Sequence, residues 1–320
     1  MNQNLFAFGG ESQKRTICTT DFQSVENKTR RTRMPAVQTV NSYLLLALFI
    51  LWSSSIAGAE PLPTREAGAI KHLSAKGVDI KTNSDGQAVR LMSSGKPTLT
   101  VDEYQLIGLL THLEQMGLNA APLADDEWQF LKSLPKLKSL SIWHGKGFAT
   151  LEPFSNLPVE SLTIGGCMGL RDLNKNDAEK QRDAITTLHS LPNLTRGNWY
   201  HSPLIPDDTH LAHIARQFPK LEILRLDFAA PRGSETTITP AGLAALQNLP
   251  LTVLSLENAG SFAAEHFKAI GGIKTLKSLL VDARRKPAPT EALNQFQKLR
   301  PSVDVVVAGT DAKGPPREPR

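Results

Sequence analysis

The sequence predicts an α/β solenoid, in which short strands alternate with helices and stack side by side. The phrase Leu-x-x-Leu-x-Leu recurs from Leu134 to Val281, and helix-like segments lie between its copies. The composition is 40% hydrophobic but only 6% aromatic, which is typical of a core built from leucine. A unit of this size cannot bury its apolar side alone, so neighbouring units must stack and leave one long face open. The pattern therefore favours a binding surface over a reaction pocket.

Residues 1–59 are predicted to be a leader that is removed on export. The segment 43–52 is an uninterrupted apolar run, shorter than the roughly 20 residues that span a bilayer. A basic cluster precedes it, and it is followed by Ala57-Gly-Ala59, a small-x-small cleavage signature. We expect an exported protein, periplasmic or extracellular. Retention of the apolar segment as a membrane anchor is the alternative, and translation from Met34 stays open.

Residues 60–100 are predicted to form a linker and an N-terminal cap. The segment 69–75 is a short helix, and the runs 78–80 and 88–92 flank Asn83-Ser-Asp-Gly86, a strand–turn–strand signal. An end repeat needs a less apolar outer side, and a helix with a hairpin would supply it.

Residues 101–308 are predicted to form the solenoid, followed by a polar, proline-rich tail at 309–320 that is too poor in apolar residues to fold. The solenoid opens with an amphipathic helix, Val101–Met116. The copies of the repeated phrase begin at Leu134, Leu157, Leu191, Phe218, Leu249 and Ile273, and Val303–Val307 is the last strand. The predicted helices are Asp125–Leu134, Asp177–Leu191, Asp207–Phe218, Thr239–Leu249, Ala263–Ile270 and Thr290–Leu299. Many begin with Asp or Thr, which cap helix N-termini. The copy at Leu191 is degenerate, and the 35 residues from Leu162 to Gly197 predict either an insertion or a blurred repeat there.

These repeats resemble the leucine-rich repeat family, in the ribonuclease-inhibitor-like form with helices on the convex side. The stretch Ile238-Thr-Pro-Ala-Gly-Leu-Ala-Ala-Leu246, followed by Leu249-Pro, is similar to a bacterial exported subtype. The resemblance implies a right-handed solenoid with a parallel sheet on its concave side. It also implies a protein-binding or ligand-binding role.

The charge of the chain gives no case for nucleic-acid binding. The whole chain has 36 Lys and Arg against 31 Asp and Glu, but residues 1–59 hold six of the former and three of the latter. The remaining 30 basic and 28 acidic residues are nearly balanced. Phosphate binding needs clustered Lys and Arg, so the basic character belongs mostly to the leader.

Cys167 would be the nucleophile if the chain were an enzyme, although the sequence predicts that it is not one. It lies three residues after Ile164, where the family resemblance implies an asparagine or cysteine that satisfies backbone groups at the turn. Without a neighbouring base or a flanking motif, a buried, inert thiol is the favoured interpretation. Cys18 falls within the leader, so the mature chain has no partner for a disulfide.

His210 and His213 share one side of a predicted helix, as two metal ligands would. Because zinc takes three or four protein ligands, we expect a solvated polar face instead, and no metal site. No Gly-x-Ser-x-Gly, His-Glu-x-x-His, P-loop or dinucleotide motif occurs, so no cofactor is predicted.

The candidate binding residues follow from strand alternation. With Leu140 and Ile142 pointing inward, every second residue of each strand should face the concave side. Aromatic and charged side chains there suit a protein contact, in which Trp, Tyr and Arg tend to dominate the binding energy. The predicted contact residues are Trp143, Arg196, Asn198, Tyr200, Arg225, Asp227, Glu257 and Asp282. An alternative of equal weight to ligand contact is that Trp143 and Tyr200 pack over the strand edges.

The sequence therefore predicts an exported binding module that is monomeric and holds a protein or peptide ligand on its concave face. Two alternatives stay open. One is a membrane-anchored protein with a structural or tethering role, and the other is an enzyme that uses Cys167.

Overall fold

A computed structural model describes residues 65–93, 95, 99–174, 176–177, 184–200, 207–227, 238–257, 259–282 and 288–308. These residues belong to one compact unit, Glu60–Arg320. The predicted leader at 1–59 and the predicted tail at 309–320 lie outside the described residues.

Short strands alternate with helices along the described chain. The strands are β1 Asp79–Thr82, β2 Ala88–Ser93, β3 Gln115–Asn119, β4 Ser139–Trp143, β5 Ser161–Gly165, β6 Arg196–Tyr200, β7 Ile223–Asp227, β8 Val253–Glu257, β9 Ser278–Asp282 and β10 Asp304–Ala308. The α-helices are α1 Glu66–Ala75, α2 Val101–Gln105, α3 Gly169–Asp172, α4 Asp208–Gln217, α5 Pro240–Ala244, α6 Ala264–Gly271 and α7 Thr290–Leu299. Further 3-10 helices are Leu106–Leu109, Gln129–Ser133, Glu152–Phe154, Ala184–Thr187, Ala245–Asn248 and Ala259–Ser261. Among the described helices, none is both long and apolar enough to cross a bilayer.

The strands form one ten-stranded sheet in sequence order, from β1 to β10. Only the hairpin of β1 and β2 is antiparallel, and every later neighbouring pair is parallel. This confirms the predicted α/β class and gives a solenoid-like arrangement, in which each strand pairs only with its neighbours in sequence.

Two rows of apolar side chains cross the sheet on the side that meets the helices, here called the core face. The first row is Met116, Leu140, Leu162, Gly197, Leu224, Leu254, Leu279 and Val305. The second row is Leu118, Ile142, Ile164, Trp199, Leu226, Leu256, Val281 and Val307. Except for Gly197 and the two valines of β10, they pack in one cluster with helix residues such as Leu211, Phe267 and Phe296. Each buried Leu contributes about 1.5–3 kcal/mol to stability.

The degenerate copy keeps its place in the sheet because one large residue fills the space of two. Gly197 occupies the register position between Leu162 and Leu224, where a leucine would stand. Trp199, two residues later, lies against Gly197 so closely that a Cβ there would collide with the indole ring. The ring stacks on Phe218 at 6.3 Å and is 3% exposed, so it fills the core of this repeat.

The first parallel strand of the repeats was not predicted. The amphipathic segment 101–116 was expected to be one helix, but helical structure ends at Leu109 and β3 begins at Gln115. The prediction was wrong because Leu110, Leu113 and Met116 are three residues apart, which imitates a helical stripe. Leu113-Glu-Gln-Met116-Gly-Leu118 is in fact a copy of the repeated phrase with Met in place of Leu.

The repeats differ in the kind of helix that they contain. Steps of 24 and 22 residues separate Met116, Leu140 and Leu162, and these repeats hold only 3-10 helices. The 30-residue step from Leu224 to Leu254 holds α5 and a 3-10 turn. The predicted helix at 125–134 is accordingly a five-residue 3-10 helix. Aromatic rings fill the core of the short repeats, where Trp128 lies edge-on to Phe154 at 4.7 Å.

Candidate functional site

The strands place a second set of side chains on the side of the sheet opposite the core, here called the polar face. Along each strand these residues alternate with the buried core residues, as the pleat requires. The parallel register then aligns them into rows across the sheet. One row is Gly117, Ser141, Thr163, Asn198, Arg225, Ser255 and Leu280. The next row includes Asn119, Trp143, Gly165 and Tyr200 on β3 to β6, and Asp227, Glu257 and Asp282 on β7 to β9.

All eight predicted contact residues therefore occupy polar-face positions of β4 and β6 to β9. Six of them lie on β4, β6 and β7, namely Trp143, Arg196, Asn198, Tyr200, Arg225 and Asp227. The side chains of Tyr200 and Asp227 lie outside the described part of the structure.

Trp143 is half-buried on the polar face, and Gly117 makes room for it. A Cβ at Gly117 would lie 2.7 Å from the indole ring of Trp143 and 2.7 Å from Cε of Met92. The ring therefore leans across the neighbouring strand instead of standing away from the sheet. This contact agrees with packing on the sheet, while the remaining exposed part of the ring stays available to a ligand.

Arg225 and Glu257 form an ion pair across β7 and β8. Arg225 Nη2 donates to Glu257 Oε1, and the two side chains are 15% and 4% exposed. A charge-assisted pair with so little solvent around it holds both side chains in fixed positions. The polar face thus presents a fixed guanidinium group near its centre.

The polar face is not equally open along its length, which corrects the predicted exposure of two residues. Strand alternation predicts that Glu257 and Asp282 are open to a ligand, but they are only 3% and 5% exposed. Ser255 and Ser278 on the same strands are also buried. For Glu257, the ion pair with Arg225 accounts for part of this burial. Ser141 and Thr163, by contrast, are half-buried, so the more accessible region is centred on β4 to β7.

Some polar atoms on the polar face are buried without a hydrogen-bond partner in the described structure. Oδ1 of Asn198 and Oγ of Ser278 are among them. An unpaired buried acceptor or donor costs about 1–3 kcal/mol. Asn198 lies beside Thr163 and Arg225 in the register, so its unpaired acceptor belongs to the more accessible region.

Cys167 is fully buried, as the sequence predicts for a structural thiol. Its Sγ lies 3.6 Å from the carbonyl oxygen of Gly165 and 3.9 Å from that of Ile142. Burial raises the pKa of the thiol to about 12, and nearby backbone hydrogen bonds lower it only in part. A thiol in this state is protonated at neutral pH and is a poor nucleophile.

His210 and His213 are both buried, so the prediction of a solvated polar face was wrong. They are 1% and 7% exposed, because this side of α4 packs against the preceding repeat. His213 Nε2 lies 2.7 Å from the carbonyl oxygen of Leu188, and burial lowers the pKa of this imidazole. Nδ1 of His210 accepts a hydrogen bond from the backbone N–H of Asp207 at 2.8 Å, which completes the N-terminal cap of α4.

His213 thus joins two adjacent repeats, while His210 caps its own helix. In the part of the chain that the structure describes, no group of three or more His, Cys, Asp or Glu side chains is arranged to hold a metal ion.

A groove of about 640 Å³ lies on the helix side of the sheet, and sequence reasoning did not find it. Its walls include Trp128, Pro153, Leu157, Asp125 and His189. Some of its polar groups are already engaged: Asp125 accepts hydrogen bonds from Ala149 and Thr150. His189 Nδ1 lies 3.1 Å from the hydroxyl of Ser155. The lining also includes Gln129, Lys132, Glu152 and Asn156.

The polar face of β4 to β7 is therefore the strongest candidate site in the described structure. It brings together Trp143, Arg196, Asn198 and Arg225 on one side of a continuous sheet. Comparison with known proteins finds no matching family model and no significantly similar curated protein.

Proposed function

We propose that this chain is a right-handed leucine-rich-repeat solenoid that binds a protein or peptide through its polar face, which corresponds to the concave face of that family. The register of β4 to β7 carries the proposal, because it lines up Ser141, Thr163, Asn198 and Arg225 across neighbouring strands and places Trp143 in the adjacent row. Repeated units that present one row of side chains after another make an extended binding surface.

The chemistry of this surface suits an extended polypeptide. Trp143 offers an apolar ring, Arg225 offers a guanidinium group held by its ion pair with Glu257, and Asn198 offers a half-buried amide group beside it. Trp and Arg are the residues that most often dominate protein-binding energy.

Site-specific photo-crosslinking in the native host tests which face binds. A photoreactive amino acid would replace Ser141 or Thr163 on the polar face, or Lys136 or Lys274 in exposed turns as matched controls. We expect one discrete adduct from both polar-face positions and none from the turns. Adducts from the turns alone, or equal adducts from all four positions, would contradict the assignment.

The captured partner then allows a quantitative test. Trp143→Ala should weaken its binding roughly thirtyfold, since a hot-spot tryptophan is worth about 2 kcal/mol or more. Leu173→Ala is the control, because Leu173 is an exposed apolar residue outside the sheet. Equal affinity of the Trp143 variant and the wild type would remove Trp143 from the site.

We also propose that the chain is exported and cleaved after Ala59, on the basis of the apolar run and the small-residue signature that follows it. N-terminal sequencing of the protein from its host should give a start at Glu60 in a soluble fraction. An intact N-terminus in the membrane fraction would favour the anchored alternative.

A further inference from the structure

The two edges of the sheet differ in how they are protected against pairing. On β1, Asp79 forms an ion pair with Arg90, with a 3.0 Å distance between Oδ2 and Nη1. Lys81 is exposed, and the register with β2 shifts between Lys81 and Thr82. Charged side chains and bulges are the features that prevent an edge strand from joining another strand. The N-terminal edge is therefore closed to further pairing.

β10 lies at the other edge and has the opposite character. It reads Asp-Val-Val-Val-Ala and pairs in parallel with β9, and no further strand lies beside it among the described residues. Val306 and Val307 are 40% and 47% exposed. Valine is a strong strand former, and an edge strand presents unpaired backbone N–H and C=O groups. The C-terminal edge is thus suited to accept another strand.

The core rows also reach the surface at β10. Val305 and Val307 align with Leu279 and Val281, which are 0% and 1% exposed. Val307 continues the same row but is nearly half exposed. A strand paired at this edge would cover the apolar surface that β10 leaves exposed, as each inner strand is covered by its neighbours. Such burial favours association.

We propose that β10 pairs with β10 of a second copy of this chain, antiparallel and centred on Val306. This pairing places Val306 opposite its own copy, Val305 opposite Val307, and Asp304 opposite Ala308. No like charges face each other, and the contact is two-fold symmetric, so it closes as a dimer. The result would be one continuous sheet of two solenoids, instead of the monomer expected from the sequence.

Helix α7 carries charges that suit the same symmetry. Its exposed side has Glu291 near the N-terminus and Lys298 near the C-terminus. A two-fold axis through β10 runs the two copies of α7 antiparallel, so Glu291 of each copy approaches Lys298 of the other. Opposite charges then meet at both ends of the helix pair.

The chain's own tail is a poor occupant of this edge. Residues 309–320 follow Ala308 directly and contain three prolines and two glycines. Proline has no backbone N–H for a strand ladder, and both residue types are depleted in strands. A second valine-rich β10 is the better complement.

Sedimentation velocity of the full chain over a range of concentrations tests the proposal. We expect a reversible dimer in the wild type. Val306→Lys places two ammonium groups opposite each other on the axis and should raise the dimer dissociation constant by at least about tenfold. Leu173→Lys is the matched control, since Leu173 is 53% exposed but lies outside the sheet, and it should leave the dimer unchanged.

A charge-exchange experiment tests the register. Val306→Glu alone should also be monomeric, whereas an equimolar mixture of Val306→Lys and Val306→Glu should form heterodimers. Circular dichroism of each variant would verify that it is folded. A monomeric wild type, a dimer that survives Val306→Lys, or a mixture that fails to associate would each overturn the proposal.

Discussion

Glu103 joins the N-terminal cap to the first repeat through three donors on one buried carboxylate. The backbone N–H of Thr100 donates to Oε2 at 2.8 Å. His72 Nε2 and Lys76 Nζ contact Oε1 at 2.8 and 2.9 Å, and both residues belong to the cap, at α1 and its C-terminal end. Burial raises the pKa of Glu103, but the hydrogen bonds from Thr100, Lys76 and His72 outweigh it and hold the pKa at about 2. The carboxylate is therefore ionised in the folded protein well into acid.

This depressed pKa predicts an acid-labile cap. The ordinary pKa of the group is 4.5, so its stabilisation is present above about pH 4.5 and is lost as the pH falls towards about 2. The difference corresponds to about 3 kcal/mol. Glu103→Gln should lower the free energy of unfolding at pH 7 by roughly 2–3 kcal/mol and flatten its pH dependence between about pH 5 and 2. Urea titrations at several pH values measure both effects.

The control for this prediction is a surface ion pair of the same chemistry. Glu114 contacts Lys138 at 3.0 Å, with side chains 44% and 54% exposed. Exposed pairs are worth at most about 1 kcal/mol, so Glu114→Gln should change stability little at any pH. Equal effects of the two substitutions would mean that the buried contacts of Glu103 add nothing.

At the scale of single elements, the pair Gly197 and Trp199 shows how a strand departs from the repeat without leaving the sheet. Trp199→Ala should empty part of the core and cost about 3–5 kcal/mol. Gly197→Leu should also destabilise, because its side chain would collide with the indole ring. The double variant Gly197→Leu with Trp199→Leu restores the pattern of the neighbouring strands.

We expect this double variant to be more stable than Gly197→Leu or Trp199→Leu alone, with a coupling energy of at least about 1 kcal/mol. Thermal unfolding of all four proteins measures the cycle. Additive effects would show that the ring does not substitute for the missing leucine. Leu224→Ala, in the same core row on the next strand, provides the reference cost of an ordinary leucine.

The strands were the most predictable elements because their signal is local. A Leu-x-Leu pair such as Leu224 and Leu226 fixes both the strand and its buried side, and the helix caps at Asp207 and Thr239 follow from residue type. β3 was missed because Met116 continues an apparent helical stripe. Nothing in the repeated phrase distinguishes a 3-10 turn from an α-helix. The steps from Met116 to Leu140 and from Leu254 to Leu279 are 24 and 25 residues long, yet only the second holds an eight-residue α-helix.

For the candidate site, the sequence predicted only which face of the sheet each residue occupies. Alternation placed Trp143, Asn198 and Arg225 on one face, and the sheet keeps them there. The burial of Glu257 and of His213 depends on side chains and carbonyl groups of other repeats, Arg225 and Leu188 respectively. Such contacts join residues 32 and 25 positions apart, which a pattern within one repeat cannot contain.

The whole molecule is a one-dimensional stack, because each strand pairs only with its neighbours in sequence. Stability in such a stack is close to a sum of repeat and nearest-neighbour contributions. A local defect should therefore spread to adjacent repeats and fade with distance. Hydrogen exchange reports this spread, since it measures opening element by element.

Glu103→Gln provides the defect for this last prediction. Exchange should accelerate in α1, β2, α2 and β3, which surround the lost contacts, while β8 and β9 keep their wild-type protection. The polar face of β4 to β7 would then keep its ligand affinity even when the cap is loosened by acid. The variant Trp199→Ala is the counterpart, because it should accelerate exchange in β5 to β7 and spare α1. Uniform acceleration from β2 to β9 in either variant would mean that the sheet opens as a single unit, and nearest-neighbour coupling would be wrong.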